Sequence, residues 1–263
     1  MKISASNIGW KKEYDDQMYI WMQNNGLSGL EIAPTRIFTE NPYDKCKEAK
    51  SWANRLKEEY GLEISSMQSI WYGRNENIFV SNDERESLIE YTKKAIDFAK
   101  AIYCNNLVFG CPRNRNVPEG ANASIAEEFF TILGEYACNA GTVIAMEANP
   151  PIYNTNYCNT TRQAIELVKR VGSTGFRLNL DIGTMIANEE TIDDLVGFAD
   201  IINHVHISEP GLAGIKKRAI HGELKTLLKE STYERYISLE MKTQEDIQEI
   251  KEPIMYIKEV FAD

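Results

Sequence analysis

Cysteine is sparse and poorly placed for cross-linking in this 263-residue chain: Cys46, Cys104, Cys111, Cys138 and Cys158 are odd in number, widely spaced and form no C-x-x-C pair. That pattern suggests neither a disulfide framework nor a cysteine zinc site, and reduced thiols in a cytoplasmic protein are expected. Basic residues are outnumbered, 29 against 39 acidic ones, for a net charge of −10. Non-specific binding to nucleic acid or to an anionic membrane is disfavoured, because the average field repels phosphate, although a local basic pocket could still take one small anion. No apolar run approaches the ~20 residues of a membrane-spanning helix. The start, MKISASNIGW, has one Lys and then polar residues, so no secretory signal is expected. A Gly-rich phosphate turn is also missing, since the first predicted strand runs into Ser-Asn-Ile-Gly-Trp.

Present instead is an alternation of strand and helix along the whole chain. Strands are predicted at 2–6, 30–34, 62–68, 106–110, 142–147, 176–181, 202–207 and 236–241. Helices are predicted at 14–23, 43–60, 83–102, 124–139, 161–171, 191–199, 220–230 and 244–261. Strands separated by helices of this length imply right-handed parallel crossovers. Eight such units in this length match an α/β fold of the closed (β/α)8 TIM barrel type, a single domain over 1–263. A doubly wound open sheet is the competitor, and the turn after the first strand lacks its fingerprint.

Four strand ends carry chemistry. Glu147 closes VIAME, Asp181 closes FRLNLD, His206 closes INHVH and Glu240 closes YISLE. In a parallel barrel the carboxyl ends of all strands open onto one face, so these residues would meet in one pocket. Three carboxylates and an imidazole suit one divalent metal ion: Mn²⁺ first, then Mg²⁺ or Co²⁺, with Zn²⁺ a further option. Two adjacent oxygens of a sugar, a carbonyl and its neighbouring hydroxyl, could complete an octahedron. Coordination would acidify the C–H beside the carbonyl and stabilise an enediolate. Glu147 and Glu240 could then remove and return a proton, the catalytic steps of an isomerase or epimerase.

Other residues near strand ends are candidates for substrate contact: Glu31, Gln68, Trp71, Arg74, Arg113 and Arg115. Aromatic and arginine side chains there would suit sugar stacking and hydroxyl recognition. His204 shares a face with His206 and is expected to be an interior residue supporting it. The run Lys216-Lys217-Arg218, followed by His221, is either solvated charge or an anion site after strand seven, with Lys216 and His221 as substrate contacts.

The phrases SNIGW, GLEIAP, LVFGCPRNR, MEANPPIY, LNLDIGTM, HVHISEP and ISLEMK resemble the xylose isomerase-like TIM barrels, a family of sugar isomerases and epimerases. The resemblance implies Glu147, Asp181, His206 and Glu240 as ligands of Mn²⁺ or a similar ion, and the two glutamates as the acid/base pair. It implies a small-molecule sugar substrate and allows a homo-oligomer, since dimers and tetramers are common in that family; the acidic charge and the lack of long apolar runs predict no nucleic-acid or membrane partner. Two positions depart from its ketose epimerases. Thr184 stands where they carry a His, and Tyr153 where they carry an acid. The family's apurinic-site endonucleases use many histidines; this chain has three. A metal-dependent isomerase or epimerase of a keto-sugar is the leading expectation. A keto-polyol dehydratase and a non-catalytic sugar-binding barrel are the alternatives.

Overall fold

The computed structural model describes residues 1–262, and its strands close into a barrel. β1 (Lys2–Ser6), β2 (Gly29–Ile32), β3 (Glu63–Met67), β4 (Leu107–Phe109), β5 (Ile144–Glu147), β6 (Phe176–Asp181), β7 (Ile202–Ile207) and β8 (Tyr236–Leu239) pair in parallel in sequence order, and β8 returns to β1. Around them lie α1 (Asp15–Asn24), a short α2 (Pro34–Ile37), α3 (Cys46–Tyr60), α4 (Asn82–Ala101), α5 (Ile125–Ala140), α6 (Thr161–Val171), α7 (Ile182–Ala187), α8 (Ala219–Glu230) and α9 (Gln248–Phe261). The (β/α)8 expectation holds.

Helix α6 shows how locally the pattern is dictated. Thr160 Oγ1 accepts from Gln163 N at 3.2 Å while Gln163 Oε1 accepts from Thr160 N at 3.2 Å, a reciprocal cap. Ala164, Ile165, Leu167 and Val168 form the buried stripe. Gly172, at φ +64°, ends the helix in the left-handed conformation that favours glycine.

Between barrel and helices lies an aromatic layer. Phe130 of α5 stacks on Phe176 of β6 at 4.8 Å and meets Phe109 of β4 edge-on at 4.8 Å. Inside the barrel the filling is partly polar. Ser4 and Ser65 are hydrogen-bonded at 2.6 Å, and Asn106 Nδ2 donates to Ser66 Oγ at 2.9 Å.

One helix is misplaced by the sequence pattern. The 191–199 segment is not a helix but two short 3₁₀ turns at Ile192–Leu195 and Ala199–Ile201, and α7 instead follows β6 directly. Asp181 explains the early start, since its carboxylate accepts from Gly183 N at 3.3 Å and Thr184 N at 2.9 Å. Gly197, at φ +82°, interrupts the later segment.

Candidate metal centre

Strand register brings the acidic residues together. Glu147 lies beside Asn179, Asn179 beside His204, and Asp181 beside His206. Glu240 follows β8 by one residue, its N–H donating to Ile207 O at 3.0 Å. His206 is fully buried, with its two ring nitrogens in different company. Its Nδ1 is 3.0 Å from Glu147 Oε1 and 3.3 Å from Glu240 Oε2. Its Nε2 is held by Glu31 Oε2 at 2.8 Å. Glu147, His206 and Glu240 each offer a ligand atom, all within 4.8 Å of one another.

Asp181 is outside that trio but lines the same cavity, of about 170 Å³, with Glu147 and Glu240. Its oxygens are fixed by the start of α7, by Thr184 Oγ1 at 2.8 Å and by a short hydrogen bond from Ser208. Between them the two oxygens lie within hydrogen-bond distance of four donors, two at each oxygen. Larger clefts, of about 470 and 540 Å³, lie at the opposite end of the barrel around Lys2 and Tyr236 and, among the described residues, are lined by one acid each, Glu63 and Glu234.

The crowding has electrostatic consequences. Burial, reinforced by Glu147 and Glu31 and opposed by His206, raises the Glu240 carboxyl to about 7. Burial and then Glu147 also push Asp181 up. Burial alone would lower His206, but Glu31, Glu240 and Glu147 outweigh it and hold its pKa well above the usual imidazole value. Glu31 is held low despite its burial by His206 and His204. A cluster that must hold protons to relieve its own repulsion is one that a divalent cation would suit.

Several other features fit such an ion. The Glu31–His206 contact matches the usual arrangement in which a carboxylate fixes the far nitrogen of a ligating histidine. A Cβ on Gly110 would stand 2.9 Å from Glu147 Oε2, so the cradle for that carboxylate exists because residue 110 has no side chain. Asn179 donates to Glu147 Oε1 at 2.7 Å, yet its own Oδ1 is buried without a partner.

The remaining sequence candidates scatter. Gln68 lines the cavity and donates to Glu31 Oε1 at 3.0 Å. Glu31 is fully buried behind His206, so it meets histidines rather than the cavity. Trp71 stands in the core, its Nε1 donating to Thr92 at 2.8 Å and its ring edge-on to Phe109. Arg74 pairs with Glu76, and Arg113 is exposed and does not line the cavity. Lys216 is exposed, while Arg218 of the same run pairs with the buried Glu209 at 2.6 Å. His221 is buried on α8 with Nδ1 2.9 Å from Tyr256 OH, away from the cavity lining. His204 is interior, 2.8 Å from Ser238 Oγ and 3.3 Å from Glu31. Of the two departures, Thr184 steadies Asp181, and Tyr153 lines the cavity with its hydroxyl accepting from Gly211 N at 3.0 Å.

Sequence reasoning missed Asn149 and Asn179, and it gave Arg115 the wrong kind of role. Asn149 donates to Glu147 Oε2 at 3.2 Å. Arg115 is fully buried, donating to Glu147 O at 2.9 Å and to Asn149 Oδ1 at 2.8 Å. MEANPP carries the asparagine signal two residues after Glu147, the spacing at which two residues of an extended segment share a face.

A sequence model of the xylose isomerase-like TIM barrel family matches residues 21–260. No curated protein matches the chain. Among solved structures, the chain is similar to apo 3-keto-D-glucoside 4-epimerase from E. coli, with a TM-score of 0.77, 17% identity, and coverage of 98% of this chain and 99% of that one. D-psicose 3-epimerase in the presence of D-fructose gives 0.80, 13% identity, and 99% of each chain. The IolI protein with a bound zinc atom gives 0.73, 16% identity, and 100% of each. At these identities the likeness establishes the fold.

Proposed function

We propose that this chain, which belongs to the xylose isomerase-like TIM barrel family, is a divalent-metal-dependent isomerase or epimerase of a small keto-sugar. The observation that carries the reading is the convergence of Glu147 and Glu240 on one nitrogen of His206 beside a cavity that both acids line. Glu147, Asp181, His206 and Glu240 would hold the ion, with Mn²⁺ the best suited by an oxygen-rich set. Bound there, the ion supplies Lewis acidity that favours loss of a proton beside a carbonyl.

The side chains supply the rest. Glu147 ends β5 and Glu240 directly follows β8, so a substrate between them would present its carbon to one carboxyl and its opposite face to the other. Removal by one and return by the other inverts or relocates a stereocentre. Asn149 and Asn179 orient Glu147 by donating to its two oxygens. Tyr153 and Leu212, from the loops after β5 and β7, line the cavity wall. Support for a sugar substrate comes from the epimerases of the same fold.

The test is proton exchange in D₂O with the Mn²⁺-loaded protein, followed by NMR over a panel of keto-sugars. Deuterium incorporation without loss of water is expected, whereas a deoxy or unsaturated product would assign a dehydratase instead. Glu147→Gln and Glu240→Gln should each slow exchange by ~10²–10⁴-fold. Unchanged exchange in both variants would overturn the acid/base assignment.

A further inference from the structure

Building on the metal-dependent reading above, we propose that the site selects an uncharged polyhydroxy ketone and rejects phosphate esters and carboxylates of the same carbon skeleton. Three carboxylates, Glu147, Asp181 and Glu240, line the cavity, and among the described residues no Lys or Arg does. Glu31 adds a fourth buried acid directly behind His206. The cations that could offset them face elsewhere. Arg115 directs its guanidinium at Glu147 O and Asn149 Oδ1, and Arg218 is engaged by Glu209.

With the ion bound, the four carboxylates are ionised and His206 is a neutral ligand; the ion then cancels two of the four charges and the buried Arg115 one more, which leaves the surroundings negative. One residual charge about 6 Å from an incoming anion, at an effective dielectric near 20, weakens binding by roughly 100-fold. The rest of the lining matches neutral hydroxyls. Gln68, Asn149 and Tyr153 offer amide and phenol groups that donate or accept without carrying charge, and Val108 and Leu212 give an apolar wall for a C–H face.

The experiment uses the Mn²⁺-loaded protein with three ligand sets: neutral ketoses and keto-glycosides, their terminal phosphate esters, and keto-acids of matching length. Binding is read by saturation-transfer NMR and turnover by exchange in D₂O. Neutral compounds should bind and exchange, and the anionic sets should bind on the order of 100-fold more weakly. Ser69→Lys, which adds a cation at an exposed position of the lining, should narrow that ratio. Phosphate esters or keto-acids binding as well as neutral ketoses would overturn the selectivity while leaving the metal-dependent isomerase in place. Failure to bind Mn²⁺, or to bind any of the three sets, would overturn both.

Discussion

Replacing Glu31 by Gln tests whether the histidine of the cluster is oriented from behind. The side chain is fully buried, and its two oxygens meet His206 Nε2 at 2.8 Å, His204 Nε2 at 3.3 Å and Gln68 Nε2 at 3.0 Å. Gln keeps the shape and removes the charge. A hydrogen bond to a charged group contributes about 1.5–3 kcal/mol and a neutral one about 0.5–1.5 kcal/mol, so the His206 contact should weaken by roughly 1–2 kcal/mol. The new amide also turns a donor toward either an imidazole N–H or the Gln68 amide, which loosens the ring further.

Loss of such a carboxylate partner typically lowers metal affinity 10–100-fold. At saturating Mn²⁺ that removes about 1.4–2.7 kcal/mol of metal-induced stabilisation, or roughly 3–10 °C of the metal-dependent rise in Tm for a chain of this size. The metal-free Tm is the internal control. It should move less, because Glu31 also adds to the repulsion that raises Glu240. Calorimetric Mn²⁺ titration together with paired melts reads both quantities. If the variant bound Mn²⁺ as tightly as the parent with an unchanged metal-dependent shift, the positioning role of Glu31 would be refuted.

Gly110→Ala places a methyl group 2.9 Å from Glu147 Oε2 and 3.4 Å from Asn149 Oδ1; Mn²⁺ affinity should fall roughly tenfold, and an unchanged titration would show that Glu147 does not need this cradle. Burial pushes the Glu209 carboxyl up, but Arg218 and the Lys216 N–H outweigh it and hold it below its ordinary value. Its stabilisation is therefore present above that ordinary value and is lost as pH falls through the depressed one. The stability gap between parent and Glu209→Gln in denaturant titrations should accordingly be widest near neutrality and close below about pH 4, and a gap of equal size at both ends would contradict the ion pair. Cys104 and Cys158 are buried, with thiols pushed up by burial to about 12 and about 11; Cys111 is likewise pushed up to about 12 and the half-buried Cys46 is raised by burial and then Asp97, whereas Cys138 is exposed. A single fast-labelling thiol is expected in the native protein, and its persistence in Cys138→Ser would place the reactive thiol elsewhere.

Much of the architecture was legible because strand–helix alternation is written in short-range patterns, as the self-contained cap and stripe of α6 illustrate. The identity of the cluster was legible for a related reason: a barrel converts the end of every strand into one face, so Glu147, Asp181 and Glu240 needed only correct strand ends to be gathered. The α7 error has the same root in reverse, since Asp181 caps a helix as well as lining the cavity, and a residue with two structural duties gives no sign of the second.

What could not be read was register. Leu178 pairs with Ile202 but Asn179 pairs with His204, so Asn203 is an extra residue in β7. A slip of one residue moves every following side chain to the other face. The bulge therefore sets His204 and His206 level with Asn179 and Asp181. A second irregularity, between Leu30 and Glu31 in their pairing with Ile64 and Ser66, leaves Ser65 unmatched. The role of Glu31 behind His206 depends on these alignments across the closed barrel. They are properties of strand pairs, decided by which residues bond across the sheet, and no single segment of the sequence contains them.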